Sequence, residues 1–202
     1  MEFRKFDLGK DDIDKTAELV ISAYSHMGET AENLQESSHS IKDTIRIGNN
    51  FLGHENIYLA IEDNTVHGLL IAYKGKSRGQ FKTAMNLLLK LRLNELLGYL
   101  LITSNLFHLG FTPDLNDDDF YISVLVVDEN SRNRGTGGFL LSNTIELAKT
   151  QSCRRVILDV DKHNEPALAL YDKFGFKVHS EFSPAKGGAL PAQMYKMQLE
   201  LD

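Results

Sequence analysis

Three glycines and two arginines crowd the segment Arg132-Asn133-Arg134-Gly135-Thr136-Gly137-Gly138. It follows the apolar run Phe120–Val127 and precedes a helical pattern. Glycine lets main-chain N–H groups turn toward a ligand, and lets the ligand approach without meeting a Cβ. A helix start adds N–H donors that have no intrahelical partner, together with the positive end of the helix dipole. Arg132 and Arg134 add full charges. Together these groups form a cradle for an anion the size of a phosphate or pyrophosphate. A tight strand-to-helix turn with no ligand uses the same residues, and glycine content alone leaves both readings open. Two nucleotide patterns fail on spacing. Gly135 and Gly137 supply the first two glycines of G-x-G-x-x-G, but the third place holds Leu140. Gly75-Lys76-Ser77 supplies the tail of G-x-x-x-x-G-K-S, but Leu70 stands where the first glycine belongs.

The elements that must hold this turn follow from periodicity. Glu2–Phe6 alternates as a strand, and Asp11–Met27 repeats at helical spacing behind two acids that favour a helix start. Ala31–Ile47 is a more polar helix. Asn56–Ile61 and Val66–Tyr73 form a hairpin about Glu62–Thr65. Phe120–Val127 is apolar almost throughout, which predicts a central strand covered on both faces. Then come a helix at Phe139–Thr150, a buried strand at Arg155–Val160 and a helix at Glu165–Phe174 stopped by Gly175. Two last strands are expected at Phe176–Phe182 and Gln193–Leu201. Residues 75–118 interrupt this order with a Leu- and Phe-rich stretch that reads as helical. The expected fold class is one α/β domain over 1–202, with a mixed sheet and a helical insert at about 75–118.

Composition excludes several function classes. There are 28 acidic against 22 basic residues, so the net charge of −6 disfavours a nucleic-acid partner. The one cysteine, Cys153, excludes a disulfide framework and a four-cysteine zinc site, and the seven histidines form no H-x-x-x-H or H-E-x-x-H pattern. No metal is expected. A reducing, cytoplasmic setting fits. The start lacks the apolar segment of a signal peptide, and the longest uncharged stretch, Leu96–Pro113, carries polar residues that argue against a membrane span.

At this point the chain resembles the GCN5-related N-acetyltransferases. Arg132-Asn-Arg-Gly135-Thr-Gly137 fits their R/Q-x-x-G-x-G/A loop. Downstream, the segment from Asn164 through Ala167, Leu170, Tyr171 and Gly175 to Phe176 is similar to their N-x-x-A-x-x-L-Y-x-K-x-G-F segment. The resemblance implies the family fold, a mixed, mostly antiparallel central sheet flanked by helices; it also implies acetyl-CoA as co-substrate, and acyl transfer to a small-molecule or peptide amine by direct attack. It implies that amides of Arg132, Asn133, Arg134, Gly135, Thr136, Gly137 and Gly138 hold the CoA pyrophosphate. It further implies that the main chain at Val126 and Val127 pairs with the pantetheine arm. That requires a strand edge opened by a bulge or splay, so that an N–H is free. Asn164 would bond the pantetheine amides, although capping a helix also explains it. Tyr171 would protonate the departing sulfur, although packing against Leu170 and Phe174 also explains it.

A general base is not placed. The glutamate that some relatives carry corresponds to Tyr121 here, and Ser123 follows two residues on. Asp117, Asp118 and Asp119 lie just upstream and read mainly as a solvated acidic turn. Cys153 lacks a nucleophile's setting, and His163 reads as a surface histidine. In the insert, Lys74 to Arg92 carries six basic residues and no acid, ahead of an apolar stretch at Leu93–Phe111. A roof over the acceptor pocket, a homodimer interface and a membrane-surface contact are three open readings of it. Two functions remain in view: an N-acetyltransferase, and a non-catalytic acyl-CoA-binding regulatory module on the same fold.

Overall fold

The computed structural model describes residues 1–25, 31–75, 115–183 and 193–201. Of the expected insert at about 75–118, residues 76–114 lie outside the described residues, as does most of the 183–192 loop. Seven strands form one sheet: β1 Glu2–Lys5, β2 Ile57–Glu62, β3 Thr65–Lys74, β4 Asp119–Val127, β5 Arg155–Asp161, β6 Lys177–Phe182 and β7 Met194–Glu200. Their order is β1-β2-β3-β4-β5-β7-β6, and only β4 and β5 run parallel. Four helices are described: α1 Ile13–Ser25, α2 Ala31–Ile47, α3 Thr136–Thr150 and α4 Glu165–Lys173. The expected mixed, mostly antiparallel sheet flanked by helices is what the chain forms.

Local chemistry sets the element ends. Asp12 Oδ1 accepts the N–H groups of Asp14 and Lys15 at 2.8 and 3.1 Å, so Asp12 caps α1, which starts at Ile13, two residues after the expected Asp11. Asp11 is engaged instead by Arg4 of β1, with two contacts of 2.7 and 2.6 Å. The β2–β3 hairpin turns on Asp63 and Asn64, both left-handed (φ 50° and 59°), a conformation these short polar side chains tolerate.

The core has two sides. Leu140 and Leu141 of α3 and Tyr171 of α4 join a cluster with Phe120, Ile122, Val156 and Leu158. On the other side, Ala17 and Val20 of α1 and Ile41 and Ile45 of α2 pack with Leu69, Ile71, Val124 and Val126. β4 is therefore covered on both faces, as its apolar run requires. Its alternation changes phase midway. Phe120 and Ile122 face α3 and α4, whereas Val124 and Val126 face α1 and α2. The cause is a bulge: Ile71 pairs with Val124 and Ala72 with Ile122, so Ser123 is left without an opposite residue.

β4 and β5 pair only from Asp119–Ile122 to Arg155–Leu158. Beyond that point β4 stays with β3 to Val127, and β5 stays with β7 to Asp161. Each strand keeps its outer partner and loses its inner one, so the sheet is split along its middle. The closed end of the split is pinned electrostatically. Asp119 is fully buried and accepts Arg155 Nε and Nη2 at 2.8 and 2.9 Å, as well as the Asn116 N–H at 2.7 Å. The acidic run is thus not one solvated turn. Asp117 is exposed, Asp118 pairs with Arg154 at 3.0 Å, and Asp119 is a buried anchor.

Removing one partner of a buried ion pair strands the other. Asp119→Ala should therefore cost about 2–4 kcal/mol, moderated by the partial exposure of Arg155. Urea unfolding measures this, and an unchanged midpoint would show that the pair does not clamp the strands.

Candidate functional site

In an antiparallel pair, alternate residues turn their main-chain groups toward the partner strand. The Asp128 N–H donates to His67 O at 2.9 Å, which places Asp128, Val126 and Val124 on the β3 side. The N–H and C=O groups of Leu125 and Val127 consequently point into the split. Among the described residues no strand pairs with them there. Of the two expected valines, Val127 presents its main chain to the open side, while Val126 bonds toward Leu69 and buries its side chain. Leu125 was not anticipated. The lone serine in this apolar strand is the one sequence signal of the bulge that sets this phase.

Past Val127 the chain makes a short 3-10 turn at Glu129–Ser131, capped by Asp128, which accepts the Asn130 N–H at 3.0 Å. Lys15 of α1 reaches Asp128 at 2.8 Å and holds its carboxyl below the usual carboxylate range. Ser131 Oγ lies 2.6 Å from His67 Nδ1 on β3, and the buried Thr136 hydroxyl donates to Ser131 O at 3.3 Å. Asn133 and Gly135 are both left-handed (φ 61° and 85°), which reverses the chain into α3.

The helix begins at Thr136, three residues before the Phe139 start that periodicity predicts, so Gly137 and Gly138 lie in its first turn. Their small size serves packing. A Cβ on Gly137 would stand 3.3 Å from Leu170 Cδ2, and one on Gly138 would stand 3.7 Å from Phe174. Gly135 differs, since a Cβ there would meet nothing within 4 Å. It is the N-cap of α3 without a side-chain cap bond, and the first helical bond runs from Phe139 N–H to Gly135 O. The amides of Gly135, Thr136, Gly137 and Gly138 therefore have no acceptor among the described residues. Arg132 and Arg134 stand exposed on this turn, Arg132 lying 3.8 Å from Glu129. The arrangement is an open nest of N–H donors at a helix N-terminus, able to bind an anion.

Asn164 caps α4, its Oδ1 accepting the Ala167 N–H at 3.2 Å, with Pro166 in the first turn. Tyr171 is buried on α4, its ring centroid 5.8 Å from that of Phe176. Desolvation pushes its phenol up to about 12, so it stays protonated across the physiological range. Cys153 is buried and its thiol is raised by desolvation, the reverse of a reactive thiolate. His163 is exposed at the start of the α4 turn. Among the described residues no group of His, Cys, Asp or Glu is arranged to hold a metal ion, and no helix is long and apolar enough to cross a membrane.

One further group sits at the split and was not anticipated. Asp159 of β5 accepts the Tyr121 hydroxyl at 2.8 Å. A carboxylate within the apolar strand Arg155–Asp161 is the signal that could have found it.

Residues 29–176 match the model of the acetyltransferase (GNAT) family. The glucosamine 6-phosphate N-acetyltransferase of Trypanosoma brucei brucei is 36% identical over 59 residues, which cover 29% of this chain and 38% of that protein. The chain therefore spans well under two thirds of that relative's length. An N-acetyltransferase structure from Staphylococcus aureus Mu50 superposes with a TM-score of 0.72 at 20% identity, covering 98% of this chain and 100% of the other. A Salmonella typhimurium structure determined with its cofactor acetyl-CoA gives a TM-score of 0.60 at 16% identity, covering 100% and 94%. At these identities the likeness to both structures is one of fold.

Tyr171 also gives a stability test. Its folded-state pKa is raised above the unfolded value of 10, so the native state holds this proton more tightly. The resulting stabilisation, about 3 kcal/mol for a two-unit shift, is present below pH 10 and lost as pH rises through about 12. Urea unfolding at about pH 8 and about pH 11 should show a smaller alkaline loss in Tyr171→Phe than in the parent. Equal losses would mean that the phenol is not desolvated.

Proposed function

The chain belongs to the acetyltransferase (GNAT) family, and from that premise we propose that it transfers an acetyl group from acetyl-CoA to a primary amine as a single domain. The observation that carries this reading is the split between β4 and β5 running directly into an uncapped helix start. The CoA diphosphate lies on the amides of Gly135, Thr136, Gly137 and Gly138, beside Asn133, with Arg132 and Arg134 offsetting its charge. The pantetheine arm enters the split and bonds the main chain of Leu125 and Val127, as a third strand would. Asn164 caps α4 through Oδ1 and offers Nδ2 to the same arm.

The thioester then sits where the strands part. A primary amine attacks the carbonyl carbon, and a main-chain N–H on the open side of β4 steadies the oxyanion. Holding both reactants in one cleft supplies much of the acceleration. Collapse of the adduct expels the sulfur, and Tyr171 hydrogen-bonds it and supplies a proton. Desolvation keeps the phenol protonated at neutral pH, so the donor is in place when the thiolate forms.

Calorimetry with CoA, and thiol release from acetyl-CoA across polyamines, amino sugars, amino acids, peptide N-termini and lysine, test the reading. CoA should bind, and at least one amine should release thiol. Absence of heat with any CoA species would overturn the site, and tight CoA binding with silence across the panel would favour a regulatory module. Gly135→Val adds a side chain into open space at a left-handed position, and should weaken CoA binding about tenfold or more. Tyr171→Phe should lower kcat about 100-fold while CoA affinity holds, as loss of a general acid does. Unchanged values would remove each residue from its role.

A further inference from the structure

We propose that Asp159, positioned by Tyr121, is the group that takes the proton from the attacking amine; this rests on the transferase reading above. Asp159 directly follows Leu158, the last residue of β5 to pair with β4. It therefore stands at the mouth of the split, level with the Ser123 bulge. The Tyr121 hydroxyl donates to Oδ2 at 2.8 Å, and the Tyr121 ring packs on Tyr73 at 5.7 Å between centroids. Tyr121 and Ile157 share one cluster, on the sheet side opposite Ile122 and Leu158. The other oxygen, Oδ1, is shut off from solvent and finds no donor among the described residues. A buried carboxylate oxygen without a donor is costly, and an amine entering between the strands supplies the missing N–H.

The charged surroundings suit a base. Tyr121 faces Asp159 from β4, and Lys196 faces it from β7, in register across the ladder. On β5 itself, Arg155 is taken by Asp119, and Asp161 accepts the His163 N–H. Burial raises the Asp159 carboxyl, while Tyr121 and Lys196 pull it back. The proton balance is direct. The nitrogen lone pair forms the N–C bond, which leaves the nitrogen positive and its proton acidic. That proton passes to Oδ1. The C–S bond then breaks, and the sulfur leaves with the electron pair and takes the Tyr171 proton. As the products leave and water re-enters the split, Asp159 gives its proton up to that water and the Tyr171 phenolate takes one back.

The test uses the full chain, acetyl-CoA and the amine that releases most thiol. Asp159→Asn should lower kcat about 10²- to 10⁴-fold, keep CoA affinity by calorimetry, and abolish the acid limb of the kcat/KM profile. Tyr121→Phe removes a bond that favours the ionised carboxylate, so its acid limb should move to higher pH. Parental rate and limb in Asp159→Asn would overturn the proposal. If Asp159→Asn no longer holds CoA, the Tyr121→Phe limb decides: displaced upward supports the assignment, unmoved overturns it. A parent silent with every amine overturns the transferase reading itself, a result visible before any variant is made.

Discussion

Four residue pairs join β4 to β5, and the rest of the architecture depends on the ladder stopping there. A parallel pair buried on both faces gains from every bond it makes, so its end needs a cause. One cause is the bulge at Ser123, which disturbs β4 at the level where pairing ends. Another is the outer partner each strand retains, β3 for one and β7 for the other. The Asp119–Arg155 pair fixes the closed end and Lys15–Asp128 braces the far end, so β4 is clamped at both ends while its second half, Ser123–Val127, parts from β5.

The split and the nest of amides are one structure. β4 delivers the chain to Asp128, and two left-handed residues, Asn133 and Gly135, turn it so that α3 starts with its first amides outward. Capping by a serine or aspartate side chain would satisfy one of those donors and stabilise the helix by about 1 kcal/mol. Gly135 forgoes that bond. The helix is held instead by close packing, since Gly137 lets it approach Leu170 and the ends of Leu125 and Val127. Stability is thus displaced from the cap to the interior, and the open donors are left for a ligand.

Much of this was legible in the sequence. The apolar run Phe120–Val127 gave the central strand, the glycines gave the turn, and Gly175 marked the end of α4, where it is left-handed with φ 90°. Periodicity missed the bulge because a one-residue insertion leaves composition untouched while exchanging faces. For that reason Leu125 was overlooked, and Val126 was expected on the open side. The helix start was misplaced because glycines read as loop, whereas Gly137 and Gly138 are first-turn residues kept small by α4. The acids misled through context. Asp119 read as solvated but is buried by a partner 36 positions away, and Asp159 acquires meaning only when Tyr121, 38 positions away, is brought to it.

The central claim is that the open edge of β4 and the start of α3 receive one continuous ligand. Amide hydrogen exchange resolved by NMR, with and without CoA, tests it most directly. The account predicts that the Leu125, Val127 and Gly135–Gly138 amides gain protection together on CoA addition, while Val124 and Val126, already bonded to β3, change little. Protection confined to other parts of the surface, with those amides exchanging as before, would contradict it.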